Sequence, residues 1–449
     1  MNNKQDRYNV IVTSSLLFTS AIVYYLLSHK VQRQNFIDVI TCFTFLFAGY
    51  YFIYKKTNPN YFKYLVLAGI FFRLIVLPSV PNLSEDVYRF IWDGRLAANG
   101  VNPYSMLPSE IIKLPPIKGI TSELYNNLNS PDYFSIYPPV LQGLFYTGAA
   151  LFSTNTFYNI LFFKIIILIV EILNVFLLVK ILHKKKLPKT YALLYFLNPL
   201  VIIELTGNVH FEAIMIFFLL SSFYLLELNK WKISAIALSL GIATKLLPVL
   251  FIPVIIYYLK GIRGFIYLFI ASLFTLFLFF TVFDLATLKN MIASINLFFR
   301  NFEFNASIYY TVRWIGKQIT GYNNIAIAGP LLAAIASIAI LYVSVSKKVN
   351  SKDFPFIKAL IILSIWFALS TTVHPWYTCT LVALAACTKY KFAIVWSYTA
   401  TLSYIAYQTN PPQENLILIS LGYLAVFGFI IFELNKSRVE KKPLIIINN

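Results

Sequence analysis

Charged residues are scarce in this sequence of 449 residues: Asp, Glu, Lys and Arg together make up 12% of it, about half their usual share in soluble proteins. Hydrophobic residues make up 59%, which is more than the core of a soluble protein could bury. These two fractions exclude a soluble globular protein. They predict a polytopic membrane protein, most of whose residues lie in the bilayer.

Cysteine and histidine are also rare. The three cysteines, Cys42, Cys379 and Cys387, lie within apolar runs at no metal-binding or redox spacing, so nothing supports a disulfide framework. The four histidines show no clustered spacing with cysteine, which argues against a metal site built from these residues. The sequence also lacks a P-loop and a dinucleotide-binding fingerprint, so no motif for a nucleotide is present.

Acidic residues are few, because 18 Asp and Glu stand against 37 Lys and Arg, which gives a net charge of +19. In a soluble protein this excess would suggest a nucleic-acid partner. Here the basic residues lie in short loops between apolar runs, where they act as topology signals. We therefore expect membrane lipids and no nucleic acid as partners.

Apolar runs near the length that crosses a bilayer, about 20 residues, recur from Tyr8 to Leu434. With the positive-inside rule they predict an all-α fold of about fourteen transmembrane helices in one domain, residues 1–449. Lys30 and Arg33 violate the rule, because they fall outside. The predicted long helices cover 8–27, 36–54, 65–80, 157–182, 191–205, 211–228, 265–283, 325–345, 357–372, 392–407 and 416–434, and shorter ones cover 233–247, 249–259 and 377–387.

The same topology places two longer loops on the non-cytoplasmic side. The first covers about 81–156 and the second about 284–322, and the apolar stretch 138–152 in the first loop is expected to lie at the interface or re-enter. The C-terminal basic residues, Lys441 and Lys442 among them, are predicted to be cytoplasmic. The polar residues of both loops thus fall on one side of the membrane.

The first outer loop begins with the strongest local signal, SEDVYRFIWDGRLAANGVNPY at 84–104. Asp86, Arg89 and Asp93 repeat at helical spacing before an Asn-Gly stop, which predicts a short amphipathic helix at the membrane surface. The acids also have a structural interpretation, with Ser84 as the N-cap and carboxylates favoured in the first turn by the helix dipole.

Four further polar residues fall on the same side. His210 and Glu212 stand where a helix begins, so they either cap it or bind a ligand. Lys245 lies near membrane depth between two short apolar runs, where a lysine is costly and usually functional. His374 precedes Pro-Trp-Tyr and is either an aromatic-belt residue or a ligand contact. One pocket can hold all four together with the first loop.

A pocket on the outer face, floored by hydrocarbon and rimmed by acids and bases, suits a substrate carried by a lipid. Its chemistry would be group transfer from a lipid phosphate, in which a carboxylate accepts the proton of an acceptor hydroxyl. Cations would stabilise the departing phosphate.

The segment 84–104 resembles the first outer loop of bacterial GT-C glycosyltransferases, in the mannosyltransferase-like branch that uses polyprenyl-phosphate sugars. The resemblance extends to residue 377 through motifs of matching order and sidedness. Many relatives carry Asp-Asp where this chain has Glu85-Asp86, which leaves the division of roles between the two acids open. The further motifs are IYPP at 136–139, NP at 198–199, GNVHFE at 207–212, TKLLP at 244–248 and VHPWY at 373–377.

This resemblance implies a GT-C membrane core with surface helices in the first outer loop and a catalytic acid at Asp86, beside Glu85. The implied reaction moves mannose or a similar hexose from a polyprenyl-phosphate donor to a hydroxyl of a lipid-linked or envelope glycan, with inversion. No cofactor is expected, nor a divalent metal, although the two acids could in principle hold one. The residues expected to bind substrate are Arg89, Asp93, Arg95, Tyr137, His210, Glu212, Lys245, His374 and Tyr377.

The implied location is the bacterial plasma membrane, with the active site on the non-cytoplasmic face. Two alternatives stay open at this point. A lipid-linked glycan polymerase or ligase would share the location but use a lipid diphosphate donor. A transporter or flippase of lipid-linked sugars would suit buried charges such as Lys164, Glu171 and Lys245.

Overall fold

The computed structural model describes residues 2–347 and 355–439, and within these ranges it contains helices and no β-strand. The predicted all-α class is therefore confirmed. The C-terminal residues Lys441 and Lys442, which contributed to the topology prediction, lie outside the described ranges. The first ten α-helices are α1 (Asn2–His29), α2 (Phe36–Lys56), α3 (Phe62–Val76), α4 (Asp86–Ala98), α5 (Pro108–Ile111), α6 (Ser122–Asn126), α7 (Pro139–Leu151), α8 (Thr156–Lys184), α9 (Ala192–Phe196) and α10 (Pro199–Val201).

A π-helix (Ile202–Gly207) follows α10 and leads into the second half of the chain. Short 3₁₀ turns precede α3, α9, α13 and α19, and a longer one, Thr401–Gln408, follows α20. The remaining helices are α11 (Glu212–Glu227), α12 (Trp231–Ile242), α13 (Ile252–Leu259), α14 (Gly261–Phe280), α15 (Leu285–Asn301), α16 (Ile308–Thr320), α17 (Ile325–Val345), α18 (Phe356–Leu369), α19 (Thr378–Ala386), α20 (Phe392–Ala400) and α21 (Leu416–Val439).

Seven helices in the described ranges are long and apolar enough to cross a membrane, which makes the chain an integral membrane protein. A bent pair around Asn198 adds an eighth, and four shorter apolar helices lie between them. The count of fourteen crossings stays a prediction. The seven are Tyr8–His29, Phe36–Lys56, Pro59–Val76, Thr156–Lys184, Gly261–Phe280, Ile325–Val345 and Leu416–Lys436.

Most predicted long helices are found within four residues of their expected ends, but the helix predicted over 191–205 is wrong. The chain breaks there at Asn198, whose side-chain oxygen accepts the N–H groups of Leu200 and Val201 at 3.0 and 3.3 Å. The two pieces, Lys189–Phe196 and Pro199–Gly207, meet at 53°. The cause is Pro199, since a proline disfavours helical backbone in the residue before it.

The predicted helix after Ser84 exists as α4, but it is not an amphipathic surface helix. Nine of its thirteen residues are buried, which leaves no solvent face along most of its length. It packs closely on α7, since a Cβ added to Gly94 would lie 2.2 Å from the carbonyl oxygen of Phe145. Ser84 is not its N-cap either: Glu85 occupies that position, and the Ser84 hydroxyl accepts the Asp86 N–H at 3.3 Å.

Both loops of the sequence prediction contain helices. The segment after α3 forms α4 to α7, with α7 in the stretch 138–152 that was expected not to span. The segment after α14 forms α15 and α16, which were not foreseen. Between these two, Phe304 forms an isolated parallel β-bridge with Thr372, which fastens the second loop beside His374.

Candidate active site

A cavity of about 1130 Å³ lies where both loops meet the ends of the membrane helices. Its polar wall comes from the start of α4 and from the loop 129–138. One further wall comes from the start of α11 and from the residues that follow α12. Another comes from the residues that follow α15 and from the connection between α18 and α19. Segments more than 250 residues apart in sequence therefore share one space.

The structure brings most of the predicted site residues together at this cavity. His210 lies directly behind the wall, 3.8 Å from Asp86. Asp93 and Arg95 lie on α4 but are not among the lining residues. The predicted residues that line the cavity are Glu85, Asp86, Arg89, Tyr137, Glu212, Lys245, His374 and Tyr377.

Asp86 stands at the first position of α4 with its side chain 23% exposed toward the cavity. Its Oδ1 accepts a hydrogen bond of 2.7 Å from the amide of Asn129, which fixes the plane of the carboxylate. Its Oδ2 faces Nε2 of His210 at 3.8 Å. No Lys or Arg of the described ranges pairs with it, so this carboxylate has lone pairs available for a proton.

The other carboxylates in the cavity wall are each paired with a cation. Glu85, which is 42% exposed, is bonded to Arg33. The other two pairs are Glu212 with Lys245 and Glu303 with Arg313. Three of the four lining carboxylates are thus neutralised, and Asp86 is the exception.

Asp93 supports the wall from behind. It is fully buried, and its Oδ1 accepts from Nε of Arg89 at 2.8 Å, while its Oδ2 accepts from Ser135 and from Gln142. Arg89 then donates to the carbonyl oxygens of Ser130 and Tyr133, at 3.1 and 2.8 Å. Asp93 therefore holds the loop 129–138 in place through Arg89, and its predicted contact with substrate finds no support in this geometry.

Arg95 points away from the cavity. Its guanidinium donates to the carbonyl oxygen of Gly119 at 2.7 Å and to the hydroxyl of Thr156 at 3.2 Å. These contacts tie α4 to the connection between α5 and α6 and to the start of α8. Arg95 is thus placed as a structural residue, and a role in binding substrate is not supported by its position.

Lys245 follows α12 and enters the cavity beside Tyr377. Its ammonium is bonded to the nearly buried Glu212, the side chain that begins α11, and lies 5.8 Å from the ring centre of Tyr377. An ammonium has three donors, so Glu212 orients the group and leaves others free for a ligand. Lys245 remains 25% exposed. The ion-pair partner of Lys245 is thus Glu212.

A column of stacked rings runs along one wall. His210 stacks on Trp376 at 3.9 Å, Trp376 on His374 at 4.4 Å, and His374 on Phe304 at 5.0 Å. Burial lowers the pKa of His374 to about 4, with a small opposing effect of Asp86, so this imidazole is neutral at physiological pH. It can therefore donate a hydrogen bond to a ligand without adding charge.

Tyr137, the Tyr of the IYPP motif, lines the cavity through a rigid aromatic cluster. Its ring packs edge-on against Phe90 and Phe145, at 4.9 and 5.6 Å between ring centres. Burial and the nearby charge of Asp86 raise the pKa of Tyr137 well above its usual value. The phenol therefore keeps its proton and remains a hydrogen-bond donor.

Sequence reasoning missed Arg33, Asn129, Glu303 and Tyr407, which also line the cavity. Arg33 reaches in from the connection between α1 and α2 and lies 4.7 Å above the ring of Tyr407. The sequence did single out Arg33, because a basic residue on the outer side violates the positive-inside rule. The other three carry no local pattern, because their positions depend on how distant loops fold together.

The part of the chain that the structure describes contains no cluster of the side chains that usually bind a metal ion. No three side chains of His, Cys, Asp or Glu come close enough there to hold an ion. Glu85 and Asp86, the pair that could in principle hold one, are engaged with Arg33 and Asn129.

A helical membrane protein with a large cavity lined by both acidic and basic side chains has the build of a membrane enzyme. A family model described as alpha-(1->6)-mannopyranosyltransferase, N-terminal domain, of the MptA_B family, matches residues 12–261. The match covers more than half of the chain, so the chain belongs to this family of mannosyltransferases. It includes Asp86, His210 and Lys245 but ends before His374. No curated protein matches the sequence.

Proposed function

We propose that this protein transfers mannose from a polyprenyl-phosphate donor to a hydroxyl group of a lipid-linked or envelope glycan, with inversion at the anomeric carbon. The linkage in the family's description points to the hydroxyl on C6 of a mannose as the acceptor. The observation that carries the proposal is the single free carboxylate, Asp86, in a cavity whose other carboxylates are paired with cations.

Asp86 is the general base in this mechanism. It accepts the proton of the acceptor hydroxyl while the hydroxyl oxygen attacks the anomeric carbon and the bond to the phosphate oxygen breaks. The electron pair of that bond leaves with the phosphate, which needs no proton, so a second catalytic carboxyl is not required. One displacement inverts the configuration, as in inverting glycosidases. Glu85 acts on this centre only through Arg33.

The phosphate of the donor requires cations and hydrogen-bond donors around the cavity. Lys245 and Arg33 supply charge from two sides, and neutral His374 supplies an N–H group. Each cation is already oriented by a carboxylate partner, so it is preorganised for the charge that develops on the phosphate oxygens as the sugar leaves.

The lipid chain of the donor would leave the cavity along its apolar side. That side brings together residues from α15, α18 and the turn after α12, and its surface suits a polyprenyl chain because it contains no charged group. Its lining residues are Leu246, Leu247, Ile295, Trp366 and Phe367.

A GT-C core of about fourteen crossings in the bacterial plasma membrane, with the cavity on the non-cytoplasmic face, belongs to the same proposal. Its support is the convergence of five motifs on one cavity, because loops that share a cavity emerge at the same end of the bundle. The basic-loop topology had assigned these motifs to one side. Nucleotide donors are absent from the outer face, which agrees with a lipid-borne donor.

A transporter is the less favoured function, since Glu171 and Lys164, two of the three buried charges that suggested it, are satisfied internally. Glu171 pairs with Arg73 at 2.8 Å and accepts from Tyr195 at 2.6 Å. Lys164 donates to the carbonyl and hydroxyl oxygens of Ser79 at 2.7 and 2.9 Å. These groups hold α3, α8 and α9 together and lie outside the cavity.

The proposal is tested by incubating the purified protein in nanodiscs with polyprenyl-phosphate mannose, glucose or galactose and a mannose-terminated acceptor. We expect release of the free lipid phosphate with the mannose donor and a product of inverted configuration by NMR. GDP-mannose serves as the control donor. Transfer from GDP-mannose, or from a lipid diphosphate glycan instead of the monophosphate sugars, would contradict the proposal.

A further inference from the structure

A second polar cluster lies behind Asp86, built around His210. The side chain of His210 is 1% exposed, and its ring is held flat against Trp376. Nδ1 lies 2.9 Å from the carbonyl oxygen of Glu204 and 3.1 Å from its carboxylate Oε2. Both neighbours accept hydrogen bonds, so Nδ1 carries the proton in the neutral ring. Nε2 is then an acceptor, and it faces Oδ2 of Asp86.

One atom in this cluster lacks a hydrogen bond within the described ranges. Nε2 of His210 is buried without a donor, and Oε2 of Glu204 has only its contact of 3.1 Å with Nδ1 of His210. Glu204 is fully buried, and no Lys or Arg of the described ranges pairs with its carboxylate, whose other oxygen accepts from Asn208 and Tyr404. Leaving such groups unsatisfied is costly, which points to a function that uses them.

The backbone that leads to His210 adopts unusual conformations, which also points to a function. Glu204 belongs to the π-helix Ile202–Gly207, a form of helix that is rare and common at functional sites. Val209 has φ +62°, a left-handed conformation that is unusual for a β-branched residue. Without this turn the chain could not direct His210 back over Glu204 and toward Asp86.

Asn208 fixes the distance between this turn and α4. Its side-chain oxygen accepts the N–H groups of Asn82 and Leu83, both at 3.3 Å, and its amide donates to Glu204 at 2.9 Å. The segment that carries Asp86 is therefore bonded to the turn that carries His210. A purely packed histidine would not require this connection.

We propose that Glu204 and His210 form a proton relay behind Asp86, in which His210 orients the base and then takes the proton that the base has accepted. The proposal rests on the proposed function. As the acceptor O–H bond breaks, the proton passes to Oδ2 of Asp86 and from there to Nε2 of His210. The carboxylate of Glu204 stabilises the resulting imidazolium while the products leave. The proton then returns to Asp86, whose side chain is 23% exposed, and passes from there to water, so that the carboxylate and the neutral imidazole are both restored for the next acceptor.

The observed separation of 3.8 Å between Nε2 and Oδ2 is longer than a hydrogen bond. A carboxylate and an acceptor nitrogen have no proton to share, so they stay apart until Asp86 is protonated. The added proton allows a hydrogen bond of ordinary length, and contacts of this kind often tighten only in the complex with substrate.

The other titratable groups around His210 do not replace it. His374, on the far side of Trp376, is neutral because burial lowers its pKa to about 4. Glu212 and Lys245 neutralise each other. Tyr404 donates a hydrogen bond to Glu204 and contributes no charge. Asp86 and Glu204 are therefore the two carboxylates that face the His210 ring.

A titration that requires no catalytic activity tests the coupling. The chain has four histidines, so selective ¹⁵N-histidine labelling in nanodiscs yields few signals, and His210→Gln assigns one of them. We expect the Nδ1–H form, and a titration curve of His210 that changes in Asp86→Asn, because the charge that faces Nε2 is lost. Glu85→Gln, the same charge change one residue away, should change the curve far less. An Nε2–H form, or an unchanged titration curve in Asp86→Asn, would refute the relay.

A pH profile of kcat is the second measurement. In the wild type, protonated His210 cannot accept a proton, so kcat should fall on the acid side of the profile. In His210→Gln this acid limb should change position, with kcat at least about tenfold lower and donor KM unchanged. Glu204→Gln should lower kcat as well and move the limb, because the carboxylate that stabilises the imidazolium is lost.

These two measurements separate the relay from the proposed function. If no donor is used, the proposed function fails, and the titration still decides the coupling. If transfer occurs but the acid limb of His210→Gln stays at the wild-type pH, the relay is refuted while the function stands. Should His210→Gln not fold, the titration of Asp86→Asn, which retains His210, decides alone.

Discussion

Asp86→Asn removes a proton acceptor and changes little else at its position. The asparagine oxygen can keep the bond from Asn129, and its amide can donate to Nε2 of His210, so no buried group is left without a partner. Because the side chain is 23% exposed and pairs with no cation, we expect the free energy of unfolding to change by less than about 0.5 kcal/mol. The loss of a general base should lower kcat by about 10² to 10⁴.

Asp93→Asn is the matched control, because it makes the same chemical change two turns along the same helix. Asp93 is fully buried, and its loss as an anion leaves Arg89, which is 3% exposed, without its charge partner. Breaking such a pair costs about 3–5 kcal/mol, so this variant should lose stability. Its remaining folded fraction should retain far more activity than Asp86→Asn.

Both variants are measured by release of the lipid phosphate and by thermal unfolding of the same detergent samples. We expect the two variants to lose different properties. Asp86→Asn should lose activity, and Asp93→Asn should lose stability. Wild-type turnover by Asp86→Asn would refute its role as the base. A large fall in its melting temperature would instead favour the structural interpretation, in which Asp86 only begins the helix.

Lys245→Ala should lower kcat by about 10² and raise donor KM, since it removes a preorganised phosphate contact. Adding Glu212→Gln should restore stability but not kcat, because Glu212 is then no longer an unpaired charge. Recovery of kcat in the double variant would contradict this role of Lys245. Arg33→Gln should raise donor KM more than it lowers kcat, and unchanged steady-state kinetics would exclude Arg33 from the site. In a cysteine-free background, Ser105→Cys should react with an impermeant thiol reagent on intact cells and Lys184→Cys should not; the reverse labelling would overturn the proposed sidedness.

Membrane insertion and most helix positions could be predicted from the sequence, because they depend on local properties. A long apolar run can satisfy its backbone only as a helix in the bilayer, and its flanking charges orient it. The helix 325–345 was therefore predicted to the residue. The prediction failed at 191–205, where Asn198 and Pro199 override the apolar run, and at α4, whose burial depends on α7.

The candidate site was predictable only as a set of motifs. Lys245 stood out because a lysine is costly near membrane depth, and Asp86 and His374 stood out because their motifs resemble those of a known family. Their shared cavity required tertiary structure, as did the observation that Glu85 is paired with Arg33 while Asp86 is free.

The distinction among Asp93, Arg95 and His210 shows the same limit. All three are polar residues in motifs that carry the family resemblance, and each was expected to bind substrate. Only the fold turns Arg95 toward Gly119, buries the i,i+4 pair of Arg89 and Asp93 behind the loop 129–138, and directs His210 from a left-handed turn onto Asp86. Helical spacing can predict that Arg89 and Asp93 meet, but which residues face the cavity depends on packing between segments far apart in sequence.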